Sequence, residues 1–163
     1  MSGELDGRTI IVTGASRGIG KALAVGLAAR GAAVVCVART VTADPAGLPG
    51  TIHETVAAIE EVGGRALAVR CDVGRGDDLR ALVARTLEQF GRVDVLVNNA
   101  MAPTRCRFDD LSLESWDESM TANVRSLIVL AKLVEPPMRA QGGGSIINIS
   151  SKSRRARASP ARF

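Results

Sequence analysis

The chain has 163 residues, 46% of them hydrophobic, which is enough to bury one core of ordinary size. Its formal net charge is +4, but the last twelve residues hold five cations and no acid: Lys152, Arg154, Arg155, Arg157 and Arg162. Residues 1–151 therefore carry 16 basic and 17 acidic side chains. This balance argues against a nucleic-acid-binding domain, and the lack of an apolar run near 18 residues argues against a membrane span.

The cysteines and the single histidine give no sign of a metal site. Cys36, Cys71 and Cys106 show neither a close pair nor metal-ligand spacing, a pattern typical of reduced thiols. His53 has no partner that suggests a ligand or a base, so we expect it at the surface. Because no charged segment precedes an apolar run of the secretory kind, we predict a cytoplasmic protein.

Five short apolar runs rich in β-branched residues alternate with longer segments of helical spacing. The runs predict buried strands at residues 9–12, 33–37, 66–69, 93–97 and 145–149. The segments between them predict helices at residues 19–30, 52–62, 77–90 and 115 to about 134. This alternation predicts an α/β fold, a doubly wound parallel sheet in the order 3-2-1-4-5, within a domain that spans residues 1–151.

Glycine, proline and serine mark several of the helix boundaries. Gly31, Gly63 and Gly91 follow three predicted helices, where a left-handed backbone costs glycine least. Pro136 and Pro137 are expected to end or kink the fourth helix. Residues 112–115 supply candidate N-caps for the same helix.

A glycine turn joins the first strand to the first helix in "TGASRGIGKAL". Gly14 permits a tight turn, Gly18 lets the backbone approach a diphosphate, and Gly20 lets the helix pack on the strand. Unpaired N–H groups and the positive end of the helix dipole then face an anion. The pattern lies between a strand and a helix, which is the context that dinucleotide binding requires.

The end of strand 2 carries an arginine where an NAD-specific site is expected to carry an acid. "CVART" places Ala38 and Arg39 there, and a guanidinium suits the 2′-phosphate of NADP. Arg17, in the glycine turn, offers a second cation. We therefore predict NADP(H) in preference to NAD(H); the alternative is that Arg39 is a solvated surface side chain.

The ends of strands 3 and 4 carry further polar side chains. "CDV" places Asp72 where a carboxylate meets an adenine amino group, with Val73 beside the ring. "NNA" places Asn98 and Asn99 after strand 4, where amides serve either a ligand or the neighbouring loops.

Five motifs occur in the order and spacing of one known family: "TGASRGIG", "CDV", "NNA", the Asn123 of "WDESMTANV" and "GGGSIINISS". Over residues 7–151 the chain resembles the short-chain dehydrogenase/reductase family. The segment "VARTVTADPAGLPGTI" is similar to the branch of hydroxysteroid-dehydrogenase-like proteins. The resemblance implies an oxidoreductase that interconverts an alcohol and a carbonyl with a nicotinamide dinucleotide. It assigns the cofactor to Gly14, Ser16, Arg17, Gly18, Ile19, Gly20, Arg39, Asp72, Val73, Asn99 and Ala100, and the chemistry to Asn123, as holder of a relay water, and Ser151, as donor to the substrate carbonyl.

The same family places a Tyr-x-x-x-Lys motif about a dozen residues after that serine, whereas this sequence contains no tyrosine. We therefore expect a C-terminally truncated member with little turnover of its own, a sheet incomplete beyond strand 5, and a disordered basic tail at residues 152–163. The Arg, Ala, Ser and Pro content of the tail is typical of a frame-shifted reading of GC-rich DNA, which is one hypothesis for its origin.

Two further functions remain open at this point. One is a dinucleotide-binding or interaction module without catalysis, which uses the exposed edge of strand 5; the other is polyanion binding by the basic tail. The expected partners are a nicotinamide dinucleotide, a small carbonyl or alcohol substrate if the chain is active, and a second copy of the chain if it forms a homo-oligomer.

Overall fold

The computed structural model describes residues 3–43, 47–103 and 106–150. Five strands form one parallel sheet in the order β3-β2-β1-β4-β5, which confirms the predicted topology. The strands are β1 (Thr9–Thr13), β2 (Ala33–Ala38), β3 (Arg65–Arg70), β4 (Val95–Asn98) and β5 (Ser145–Asn148). The predicted domain boundary at residue 151 and the tail lie outside the described residues.

Helices connect each strand to the next. They are α1 (Gly18–Ala28), α2 (Ile52–Glu61), α3 (Gly76–Phe90), α4 (Leu113–Met120) and α5 (Ser126–Ala140), with a π-helical turn, Thr121–Arg125, between the last two. Gly31, Gly63 and Gly91 all adopt positive φ after their helices, as predicted. The side chain of Ser112 accepts a hydrogen bond from the Ser115 N–H and so caps α4.

The predicted end of the last helix is wrong. Pro136 and Pro137 both lie inside α5, which continues to Ala140. Beyond them Met138 is 5% exposed and joins the core that also contains Leu130 and Val134. Because tertiary burial stabilises helices more than intrinsic propensity does, packing of this face maintains the helix through two residues that lack an N–H donor.

The core lies on both faces of the sheet, because successive strand residues point in opposite directions. Ile11 and Leu96 face one cluster with residues of α3 and α5, whereas Ile10, Val12 and Val97 face a second cluster with residues of α1 and α2. At the β5 edge, by contrast, Ile146 and Ile147 are 41% and 46% exposed. Within the described part of the chain no helix is both long and apolar enough to cross a membrane.

Asp94 ties the amino ends of three strands together. Its carboxylate, 4% exposed, accepts hydrogen bonds from Arg92, from Arg8 and from the Thr9 N–H at 2.6–2.9 Å, and its backbone pairs with Thr9 and Ser145. Burial by itself would raise the pKa of this carboxyl, but the hydrogen bonds from Arg92, Thr9 and Arg8 outweigh it and lower the pKa to about 2. This site lies at the opposite end of the sheet from the glycine turn.

Candidate functional site

A cleft of about 570 Å³ opens at the carboxyl ends of β1–β4, within the range of about 300–1,000 Å³ that is usual for small-molecule sites. All of the residues that the family resemblance assigned to a cofactor line this cleft: Gly14, Ser16, Arg17, Gly18, Ile19, Gly20, Arg39, Asp72, Val73, Asn99 and Ala100. The parallel sheet brings them together because its strand ends share one edge. Asn123 does not line the cleft, although its neighbour Ala122 does, and Ser151 lies outside the described residues.

The glycine turn has the backbone that its sequence predicts. Gly14 and Gly18 adopt φ of 69° and 55°, in the left-handed region that favours glycine. A Cβ added at Gly20 would lie against the carbonyl of Gly14 and 2.6 Å from Asn99 Nδ2, whereas one added at Gly18 would meet nothing within 4 Å. Gly20 therefore permits close packing, and Gly18 leaves open space at the mouth of the turn.

Helix α1 directs its amino end into the cleft. It begins at Gly18, no side chain caps it, and its first turn holds no acidic residue. The N–H groups of a first helical turn have no intrahelical acceptor, and the helix dipole adds a partial positive charge there. The described geometry therefore offers backbone donors to an anion at Gly18, Ile19 and Gly20.

Thr13 was missed at the sequence level, yet it links the two strands that flank the cleft. Its hydroxyl accepts hydrogen bonds from the N–H groups of Asn99 and Ala100, at 2.9 and 3.0 Å, and donates to the Val97 carbonyl at 3.3 Å. The side-chain amide of Asn99 donates in return to the carbonyls of Thr13 and Gly14, at 2.9 and 3.3 Å. The sequence feature that could have indicated this role is the position of a threonine directly before the glycine turn.

The β2 and β3 ends form the other wall of the cleft. Arg39 is exposed there beside Thr40, and Asp72 Oδ1 accepts a hydrogen bond from the Gly74 N–H at 2.9 Å. Cys71 lines the same wall, and burial, followed by the nearby Asp78 and Asp72, raises the pKa of its thiol to about 12. This thiol is therefore neutral at physiological pH and acts as a small apolar side chain.

The side chain of Arg17 turns toward the segment that follows β2. It donates to the backbone carbonyls of Leu48 and Gly50 and to the Thr40 hydroxyl. A second tie joins the same regions, because the buried hydroxyl of Thr55 donates to the Ala15 carbonyl at 2.8 Å. Neither set of contacts follows from the spacing of the residues in the sequence.

Asn123 lies in the π-helical turn, and its amide is bound to the loop after β4. Its Oδ1 accepts from the Ala102 N–H at 2.8 Å, and its Nδ2 donates to the Ala102 carbonyl and to Ser119 Oγ, both at 2.9 Å. Single π-helical turns occur often at functional sites. The side chain of Asn123 therefore positions the loop that carries Ala102, which itself lines the cleft.

Asn98 occupies a different environment from Asn99. It is 3% exposed, and its Nδ2 donates to Asn148 Oδ1 at 2.9 Å, so it joins β4 to β5. Its own Oδ1 is buried without a hydrogen-bond partner among the described residues. Asn98 is not among the residues that line the cleft.

A family model described as short chain dehydrogenase matches residues 8–159. The chain belongs to the short-chain dehydrogenase family. Hydroxysteroid dehydrogenase-like protein 2 from Xenopus laevis is 38% identical over 149 residues, which are 91% of this chain but 36% of that protein. The chain therefore spans about a third of the length of this curated relative.

Solved structures of short-chain dehydrogenases share the fold. A short chain dehydrogenase from Mycobacterium thermoresistibile matches with a TM-score of 0.84 and 38% identity over 93% of this chain and 54% of that one. A metagenomic short-chain oxidoreductase in complex with NADP matches with a TM-score of 0.82 and 35% identity, over 91% of this chain and 64% of that one. A 7α-hydroxysteroid dehydrogenase complexed with NADH and 7-oxo glycochenodeoxycholic acid matches with a TM-score of 0.79 and 38% identity, over 90% of this chain and 54% of that one.

Proposed function

We propose that this chain forms the NADP(H)-binding part of a short-chain dehydrogenase that interconverts an alcohol and a carbonyl. One observation carries the proposal: the eleven residues that the family resemblance assigned to the cofactor all line a single cleft at the carboxyl ends of the strands. A cytoplasmic location and a homo-oligomeric state are further predictions that accompany this proposal.

The geometry of the cleft fits a dinucleotide. The open space beside Gly18 and the donors at the amino end of α1 suit a diphosphate, and Asp72 with Val73 suits an adenine ring. Asn99 and Ala100 would lie beside the nicotinamide half, held in place by Thr13. When bound, the nicotinamide supplies or accepts the hydride, and the chain's own residues bind and orient it.

Arg39 supports NADP(H) as the preferred form. It lines the cleft at the end of β2, where an NAD-specific site would have an acidic residue to bind the ribose hydroxyls. A guanidinium in this position suits a phosphate dianion and would gain little from a neutral hydroxyl pair. Because relatives of this fold bind either NADP or NADH, the preference rests on Arg39 and not on the comparisons.

A second candidate is a dinucleotide-binding module without catalysis, and the amino-acid composition favours it for these 163 residues by themselves. The family resemblance implies a tyrosine as the proton donor, and the sequence contains none. Loss of a general acid typically lowers a rate by about 10²- to 10⁴-fold. We therefore expect the chain alone to bind the cofactor with little turnover.

Fluorescence titration of the folded chain with NADPH and with NADH tests the proposal. Tighter binding of NADPH supports it, equal affinities contradict the NADP preference, and no binding of either contradicts the dinucleotide site. Oxidation of NADPH in the presence of a panel of ketones and aldehydes then separates the two candidates. Turnover near that of full-length family members would exclude the non-catalytic module.

A further inference from the structure

Met101 presents an exposed thioether to the cleft from the loop after β4. Its side chain lines the cleft and is 66% exposed, although methionine is among the residues most often buried in proteins. We propose that Met101 is a binding residue for the nicotinamide half of the dinucleotide, against which its thioether packs when the cofactor is bound. This role rests on the proposed function and deepens it, because the family resemblance assigns the cofactor no residue after Ala100 in this loop.

The order of the sheet places Met101 at the opposite end of the cleft from Arg39. Arg39 directly follows β2, Met101 comes after β4, and the glycine turn at the end of β1 lies between them. Neighbouring strands are about 4.8 Å apart, so about 10 Å of sheet separates the two ends. A dinucleotide with its 2′-phosphate at Arg39 and its diphosphate at the glycine turn therefore extends its nicotinamide half over β4.

The end of the cleft that contains Met101 is lined by short, uncharged side chains: Ala100, Ala102, Pro103 and Ala122. The backbone beside Met101 is fixed, because Ala102 exchanges hydrogen bonds with the Asn123 amide at 2.8 and 2.9 Å. A long, unbranched side chain on a fixed backbone adapts its rotamer to a ligand, and a polarizable sulfur packs well against a planar ring. This end of the cleft therefore suits a nicotinamide ring better than a phosphate.

The two other methionines in the described part of the chain lie in different environments. Met120 is 38% exposed but is not among the residues that line the cleft, and Met138 is 5% exposed in the core. A ligand in the cleft should therefore cover the sulfur of Met101 and leave the sulfur of Met120 as accessible as before. Met120 serves as an internal control within the same molecule.

Oxidation of the wild-type chain by hydrogen peroxide tests this contact. Peroxide transfers one oxygen atom to a thioether sulfur and leaves as water, which converts methionine to its sulfoxide. Mass spectrometry of peptides measures the rate at each methionine in the free protein, with saturating NADP⁺ and with saturating adenosine 2′,5′-bisphosphate, which lacks the nicotinamide half. We expect NADP⁺ to slow oxidation of Met101 by about five- to tenfold and the bisphosphate to leave it unchanged, with no change at Met120.

Variants at this exposed position test the same contact through affinity, measured by calorimetric titration. Met101→Gln keeps the length of the side chain but makes it polar, so we expect it to weaken NADP⁺ by about fivefold and leave adenosine 2′,5′-bisphosphate unchanged. Met101→Leu stays apolar and should bind NADP⁺ within about twofold of wild type. Met120→Gln is the matched control. Because Met101 is 66% exposed, we expect its variants to keep the melting temperature of the wild type.

Two results would overturn the role given to Met101. One is equal protection of Met101 by NADP⁺ and by adenosine 2′,5′-bisphosphate, since the nicotinamide half would then contribute nothing. The other is NADP⁺ that binds in the calorimetric titration but neither slows oxidation of Met101 nor binds more weakly to Met101→Gln. Failure of the wild-type chain to bind NADP⁺ would instead refute the proposed function, and the role of Met101 with it.

Discussion

Thr13 and Asn99 hold each other in place across the floor of the cleft. The Thr13 hydroxyl accepts the Asn99 N–H at 2.9 Å, and the Asn99 amide donates to the Thr13 carbonyl at the same distance. Thr13 ends β1 and Asn99 directly follows β4, and these are the adjacent strands between which the order of the sheet reverses. This reciprocal pair therefore sets the distance between the glycine turn and the loop after β4.

Replacing Thr13 with valine keeps the shape of the side chain but removes the hydroxyl. The N–H groups of Asn99 and Ala100 then lose their acceptor, so we expect the free energy of unfolding to fall by about 2 kcal/mol. Urea denaturation measures this change. Thr13→Ser, which keeps the hydroxyl, serves as the control, and equal losses in both variants would show that the methyl group and not the hydroxyl matters.

Gly20 and Gly26 lie in the same helix and are expected to respond oppositely to alanine. At Gly20 a Cβ would overlap the glycine turn and Asn99, so we expect Gly20→Ala to destabilise the fold by about 1–3 kcal/mol and to abolish dinucleotide binding. At Gly26 a Cβ meets nothing within 4 Å, so Gly26→Ala should stabilise by up to about 1 kcal/mol. Thermal unfolding of the pair checks both; a neutral Gly20→Ala would contradict the close packing.

Arg39 is expected to decide the choice of cofactor. Removing its guanidinium in Arg39→Ala should weaken NADPH by about tenfold and leave NADH unchanged, since a charge-assisted hydrogen bond is lost only with the 2′-phosphate. Titration with both dinucleotides measures the ratio. Arg70→Ala removes another exposed charge, at the end of β3, and is the matched control; an equal effect there would indicate a nonspecific loss of charge.

The buried carboxylate of Asp94 makes stability depend on acid pH. Its pKa of about 2 in the folded protein lies below the usual 3.8, so its ionised form contributes about 2 kcal/mol above pH 4. That contribution is lost as the pH falls from about 4 to 2, where the folded carboxyl becomes protonated. We expect Asp94→Asn to lower the free energy of unfolding at pH 7 and to differ from wild type less at pH 2.

Urea denaturation of both proteins at several pH values measures this difference. Asp77→Asn removes the acid of a largely exposed ion pair with Arg80 and should change stability little at any pH. A difference between wild type and Asp94→Asn that stays constant from pH 7 to pH 2 would contradict the role given to the ionised carboxylate.

The amino-acid sequence by itself determined the alternation of strands and helices, the order of the sheet and the place of the cleft. These follow from local patterns, since buried strands are short apolar runs and parallel strands must be joined by crossovers. The lining of the cleft was predictable for the same reason: Gly14 and Asn99 directly follow strand ends, Asp72 lies two residues beyond one, and strand ends of a parallel sheet converge.

Only the tertiary structure decided what individual side chains do within that frame. Arg17 contacts Gly50, 33 residues away, and Thr13 contacts Asn99, 86 residues away, so neither partner can be deduced from spacing. Helix α5 continues through Pro136 and Pro137 because Met138 is buried against the sheet. Helix propensity, which is a local property, does not include the free energy of this burial. Propensity and periodicity act between neighbours in the chain, whereas these choices depend on hydrogen-bond partners and apolar surfaces that folding alone brings together.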